Sequence, residues 1–376
     1  MLAMVLQSPG PVEENPLCLE QVPTPVPRPG QVRLRVNVCG VCHTDLHTVE
    51  GELPAHRLPL IPGHQVVGTI DQIGPGADSP TGSPADAAAG VPAGTPTGSV
   101  NTQAHAPAGS GADRTPASST ARRWQVGDRV GVPWLHWTCG ECEHCRRGQE
   151  NLCERALFTG LDVDGGYAGY MVAPEDFVVP IPDVFSDTEA APLLCAGIIG
   201  YRSLRIAGVQ PGETLALFGF GASAHLAIQV ARYWGCRVYV FTRSREHQQL
   251  ARELGAAWAG AAGQQAPSPA DRAVTFAPAG DLIPVALGAL RRGGTLAINA
   301  VHLDRIPAFD YRLLYWERTV RSVANSTRQD ASELMDIAAR IPIRVTAQVY
   351  PLEEANRALQ DLKHRTVSGA AVLCID

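Results

Sequence analysis

The 376-residue chain has no run of about 18 apolar residues, the length a helix needs to cross a bilayer. No membrane span is expected. Nor does it carry a long block of lysine or arginine. With 31 basic against 37 acidic residues the net charge is −6, so nothing marks a nucleic-acid surface and a small-molecule partner is favoured. The start, MLAMVLQSPGPVEENP, lacks a basic stretch ahead of an apolar one, and a signal peptide is not expected. Ten cysteines without a secretion signal read as thiols and metal ligands rather than a disulfide framework. On this reading a globular, cytoplasmic protein is expected.

A second absence is local. Residues 78–122 contain no aromatic residue, leucine or isoleucine, and 35 of the 45 positions are Ala, Gly, Pro, Ser or Thr. Such a stretch buries too little apolar area to offset its ordering entropy. It is expected to be a disordered insertion.

What remains is enough for two domains, since a single core rarely exceeds about 250–300 residues. QVRLRVNV (31–38) alternates Val32, Leu34, Val36 and Val38 against Arg33, Arg35 and Asn37, the pattern of a half-buried strand. Gly and Pro punctuate short apolar runs up to about residue 135, which reads as irregular β structure. From about residue 182 the texture changes: ETLALFGFG, then ASAHLAIQVARYWG, then RVYVFTR and SREHQQLARELGA. Strand and helix alternating at this pace mean βαβ units on a parallel sheet. The closing SGAAVLCID is strand-like and is expected to return to the first domain.

Three constellations carry chemistry. Cys139, Cys142, Cys145 and Cys153 fall as C-x2-C-x2-C-x7-C. Four soft thiolates on one short loop suit a structural zinc with no open position, and the C-P continuation of an iron–sulfur motif is missing. Second, CGVCHTDLHT (39–48), PGHQVVG and PLLCAG supply Cys42, His64 and Cys195, whose dispersed spacing is weak on its own. Cys195 between apolar neighbours also suits a small buried hydrophobe. Third, Gly219-x-Gly221-x-x-Ala224 lies between a strand and a helix. There the first glycine allows a turn, the second lets backbone approach a pyrophosphate, and Ala224 lets helix pack on strand.

These motifs in this order resemble the zinc-dependent medium-chain alcohol dehydrogenases, closest to the bacterial propanol-preferring type. The resemblance covers nearly the whole chain except 78–122. It implies an α/β protein: a GroES-like β-rich catalytic domain (1–181, with the insertion and the 139–153 metal loop), a Rossmann doubly wound parallel-sheet domain (182–321) and a return segment (322–376). It implies two zincs per chain, the catalytic one on Cys42, His64 and Cys195, and the reversible oxidation of a primary alcohol to its aldehyde with NAD(P). Thr44 and His47 match a proton relay, and Asp45 matches the carboxylate that orients His64. A homodimer or homotetramer is implied as well. A reductase of bulkier, cinnamyl-type aldehydes and a non-catalytic zinc- or cofactor-binding protein are the competing readings.

Two departures bear on function. The family's Gly-His-Glu is here Gly63-His64-Gln65. The second Rossmann strand ends in Phe241-Thr242-Arg243-Ser244-Arg245, without the acidic residue that would grip a ribose 2′-OH. Thr242 and Arg243 are thus assigned to the cofactor, and NADP(H) is favoured over NAD(H), although the arginines also suit a solvated helix start.

Overall fold

The computed structural model describes residues 1–75, 124–341, 343–367 and 369–375. The expected insertion, 78–122, lies outside the described residues. Two sheets organise the rest. In the first, strand Gln31–Val41 is the spine. Its alternation sends Val32, Leu34, Val36 and Val38 into the core, and the burial continues without a break through Val41. Strand Gln65–Ile73 pairs with it antiparallel, Tyr170–Pro174 joins its first half and Ala370–Cys374 its second. Arg129–Val132 and Val179–Pro180 extend one side and Ala347–Pro351 the other, making seven strands in the main path and its branch.

The second sheet has six strands, every pairing parallel. Their spatial order is Trp258–Gly260, Arg237–Phe241, Thr214–Phe218, Ala270–Thr275, Leu290–Ile298, Thr319–Ser322. The chain winds outward from Thr214–Phe218 in one direction and then restarts beside it in the other. This is the Rossmann order, and a ligand binds beyond the strand ends where the winding reverses. Gly219 makes the turn at that point with φ 89°, and an added Cβ would meet the backbone N of Ala277 at 2.9 Å. Helix Ala222–Tyr233 follows, with Leu226 and Val230 buried against the sheet and Tyr233 exposed.

The two sheets are joined by shared packing. Helix Ala196–Ala207 buries Ile198, Tyr201 and Leu204 in a core that also holds Val38, Val67 and Val372 of the first sheet. Helix Arg328–Ala338 lies against it, its buried Asp330 held by Arg202 and Arg205 at 2.6 and 2.7 Å. The chain then re-enters the first sheet at Ala347–Pro351 and Ala370–Cys374. Among the described residues no helix is long and apolar enough to cross a membrane.

Candidate active site

Gly40 sits opposite Gln65 in the antiparallel pair Gln31–Val41 and Gln65–Ile73. That register brings the residue just after one strand, Cys42, next to the residue just before the other, His64. An added Cβ on Gly40 would meet the Gln65 side chain at 2.9 Å, so a bare backbone is needed there. The residues are 22 positions apart, yet Cys42 Sγ lies 3.3 Å from His64 Nε2.

Cys42 also caps helix His43–Glu50. Its sulfur accepts from the Thr44 backbone N at 3.3 Å, while Asp45 Oδ2 accepts from the Cys42 backbone N at 2.9 Å. This reciprocal box fixes the start of the helix. The second Asp45 oxygen faces His64 Nδ1 at 3.0 Å. Nδ1 therefore donates and Nε2 is left as an electron pair aimed at Cys42, the tautomer a metal ligand requires.

Cys195 arrives from elsewhere. It lies between the short turn Ala191–Leu194 and helix Ala196–Ala207. Leu193 and Leu194 are buried, and Leu194 fills the space a side chain at Gly131 would need. This locks the turn onto strand Arg129–Val132. The ligand atoms of Cys42, His64 and Cys195 all lie within 4.8 Å of one another.

The donor set fits zinc. Tetrahedral zinc with Zn–S near 2.3 Å and Zn–N near 2.0 Å separates sulfur from nitrogen by roughly 3.5 Å, close to the distance found. Electrostatics point the same way. The Cys42 thiol is held well below its ordinary range, first by the hydrogen bond from Cys195 and, against burial, by His64. Cys195 is raised by that same bond and by burial. Burial would lower the His64 imidazole, but Asp45 and then Cys42 overcome it and carry it well above its ordinary value. The Asp45 carboxylate and the two cysteine sulfurs surround the imidazole with negative character, which a divalent cation would neutralise. Cys42, His64 and Cys195 supply three donors, one fewer than a tetrahedral zinc would take.

The second cluster closes on itself. Cys139 Sγ lies 3.8 Å from Cys145 Sγ and 3.6 Å from Cys153 Sγ. Four sulfurs around zinc stand about 3.8 Å apart. Backbone N–H groups of Glu141 and Cys142, with the Arg155 side chain, bring the Cys139 thiol down to about 6 despite desolvation. All ten cysteines are free thiols.

Thr44 and His47 stand one turn apart on helix His43–Glu50, on the same face. His47 Nδ1 lies 2.5 Å from Glu52 Oε2, and Glu52 is 62% exposed. His43 is exposed on the same helix, its ring 6.4 Å from that of His47. Among the cofactor candidates, Gly221 caps helix Ala222–Tyr233, and nothing lies within 4 Å of an added Cβ. Ala224 is fully buried. Thr242 is buried at the end of strand Arg237–Phe241, its N–H bonded to Gly260 O at 2.8 Å. Arg243 is exposed.

Sequence reasoning missed four residues. Glu52 lies five positions beyond His47 and past the Gly51 cap of that helix, where no motif marks it. Tyr167 is fully buried with its hydroxyl unpaired, packed against Gly63 behind His64. Asn325 and Glu150 contact Trp134 and Arg328 across more than 170 residues, a separation with no local signal. Trp134 meets the His64 ring in a T-shaped contact at 4.9 Å. His136 is buried beside Thr159, 3.4 Å from its hydroxyl.

Comparison with known proteins agrees with the geometry. The model for the alcohol dehydrogenase GroES-like domain matches residues 28–95 and 107–183, and that for zinc-binding dehydrogenases matches 224–340. A probable alcohol dehydrogenase, AdhA, of Mycobacterium tuberculosis is 46% identical over 378 residues, spanning 100% of this chain and 97% of its own. An alcohol dehydrogenase of Geobacillus stearothermophilus is 33% identical over 378 residues, spanning 96% and 97%. The crystal structure of AibC superposes with a TM-score of 0.80 at 26% identity, covering 100% of this chain and 96% of that one.

Proposed function

Because the chain belongs to the zinc-dependent medium-chain alcohol dehydrogenases, we propose that Cys42, His64 and Cys195 form the reaction centre at which a primary alcohol and its aldehyde are interconverted. One observation carries this: Cys42 Sγ lies 3.3 Å from His64 Nε2, Asp45 is hydrogen-bonded to both residues, and the Cys195 sulfur lies within 4.8 Å of the other two donor atoms. When bound there, zinc polarises the substrate oxygen and the dinucleotide exchanges a hydride with the substrate carbon. The chain's own residues do the rest. Asp45 holds the His64 proton on Nδ1 and keeps the ring oriented. The Thr44 hydroxyl would accept the alcohol proton while giving its own onward, and His47, beside exposed Glu52, would receive the relayed proton and release it to solvent. Trp134 excludes water from the His64 side.

The dinucleotide lies across the glycine turn. Gly219 shapes the turn, Gly221 leaves open space at a helix start, and Ala224 lets that helix sit close. The free N–H groups there suit a pyrophosphate. Exposed Arg243, with no carboxylate at the strand end, supports NADP(H) over NAD(H).

The second zinc belongs to Cys139, Cys142, Cys145 and Cys153, giving two per chain. The chain assembles through its parallel sheet as a dimer or tetramer. Strand Thr319–Ser322 is an edge with all four residues exposed, Val320 among them, and Tyr315 and Trp316 are exposed just before it, an edge that pairing with a second copy would cover. The site of action is the cytoplasm.

The test is a 340 nm assay with NADPH and NADH separately, against butanal and benzaldehyde. Aldehyde-dependent oxidation supports the proposal. No oxidation of either cofactor with any aldehyde contradicts it.

A further inference from the structure

Asn325 occupies the left-handed region, with φ 50°. It lies on the passage from edge strand Thr319–Ser322 to helix Arg328–Ala338. Its side-chain oxygen accepts from Trp134 Nε1 at 3.1 Å, and its side-chain nitrogen donates to Asn151 O at 3.5 Å. Asn151 is 4% exposed and returns the contact, its Nδ2 donating to Ala324 O at 2.8 Å. The preceding residue, Glu150, accepts from the Arg328 backbone N at 2.6 Å and takes the Arg328 guanidinium in a fork at 2.8 to 3.2 Å.

Glu150 and Asn151 both lie between the third and fourth cysteines of the four-cysteine loop. That loop therefore grips the passage between the two sheets at two adjacent points. Asn325 carries the grip onward. Trp134, held at its indole nitrogen, stacks on Phe158 at 4.9 Å and makes a T-shaped contact with the His64 ring at 4.9 Å. The series of contacts runs unbroken from the metal loop to a ligand of the reaction centre.

We propose that Asn325 is a positioning residue: it sets the Trp134 ring as the wall of the substrate cleft beside His64, and the four-cysteine loop in turn sets Asn325. The residue type fits the task. Asparagine tolerates the left-handed backbone better than most side chains and offers one acceptor and one donor on a short stem. An apolar residue there would strain the backbone and leave the indole N–H without its acceptor. This inference rests on the reaction centre assigned above, so its test has one arm that does not need turnover.

Asn325→Gly keeps the backbone conformation and removes both contacts. Asn325→Asp keeps the acceptor for Trp134 and removes the donor to Asn151. Tryptophan emission is recorded for each, alone and in a Trp134→Phe background, together with kcat and KM for ethanol and benzyl alcohol. In Asn325→Gly the ratio of the two KM values should shift about fivefold, the worth of one hydrogen bond, with kcat within about twofold. Its emission change should vanish in the Trp134→Phe background. Asn325→Asp should restore most of both, because the indole acceptor is back.

A KM ratio within twofold of wild type in Asn325→Gly overturns the proposal. So does an emission change that persists without Trp134. Absence of wild-type turnover with either alcohol would count against the assigned reaction, and the emission arm would still decide the link from Asn325 to Trp134. If Asn325→Gly does not fold, an altered KM ratio in soluble Asn325→Asp with unaltered Trp134 emission overturns it equally.

Discussion

Asp45 Oδ1 lies 3.0 Å from His64 Nδ1, and the two side chains are 2% and 1% exposed. A carboxylate that close and that dry fixes which imidazole nitrogen carries the proton. It also adds negative charge behind the ligand. Asp45→Asn would keep the shape and lose both the charge and the strict acceptor role. Zinc affinity at this site should fall roughly 10- to 100-fold, read by competition with a chromophoric zinc chelator. Affinity equal to wild type would show that Asp45 only caps the helix.

His47 and Glu52 stand at the surface end of the proposed proton path. His47→Asn should lower kcat by about tenfold to a hundredfold at neutral pH, at the lower end of general acid–base contributions. Added imidazole should recover part of the loss. A kcat unchanged across the pH range would remove His47 from the path.

The sequence carried the parts of this site that local pattern can express. The alternation of Val32, Leu34, Val36 and Val38 gave the spine strand, although Cys39 to Val41 prolong it because both faces there are covered. The glycine turn was legible because its context, strand then helix, is itself local. The four-cysteine loop was legible because its ligands sit within 15 residues. The other candidate ligand set, Cys42, His64 and Cys195, was not readable from spacing. Its geometry depends on the Gly40–Gln65 register and on a turn wedged by Leu194. Resemblance supplied it, and strand pairing explains it. Asn325 and Arg328 had no signal at all, because their partners lie 174 and 178 positions away. Helix Arg328–Ala338 likewise reads as amphipathic, but nothing local says that Arg202 and Arg205 await Asp330.

Arg243 stands exposed at the end of strand Arg237–Phe241, where a 2′-phosphate would lie. Arg243→Ala should reduce kcat/KM with NADPH by about tenfold, the scale of one charge-assisted hydrogen bond. The value with NADH should change much less. Equal losses with both cofactors, measured at 340 nm, would show that the arginine does not read the phosphate.

His136 is buried, and desolvation lowers its imidazole from 6.5 to about 4. The folded value lies below the unfolded one, so between those pH values the unfolded chain binds the additional proton. Stability is therefore full above about pH 6.5 and falls as the pH drops toward 4. The loss attributable to this one residue is about 3 kcal/mol at the acid end. His136→Gln should flatten the slope of unfolding free energy between pH 6.5 and 4, measured by denaturant titration. An identical slope in both proteins would mean that the histidine is not buried neutral.

The zinc-to-chain ratio by native mass spectrometry tests the central claim most directly. The wild-type chain should carry two ions. Cys195→Ser should carry one and lose aldehyde-dependent NAD(P)H oxidation, while Cys145→Ser should lose the other ion. A wild-type chain that carries a single ion, or a Cys195→Ser chain that keeps two, would contradict the assignment of Cys42, His64 and Cys195 as the catalytic zinc site.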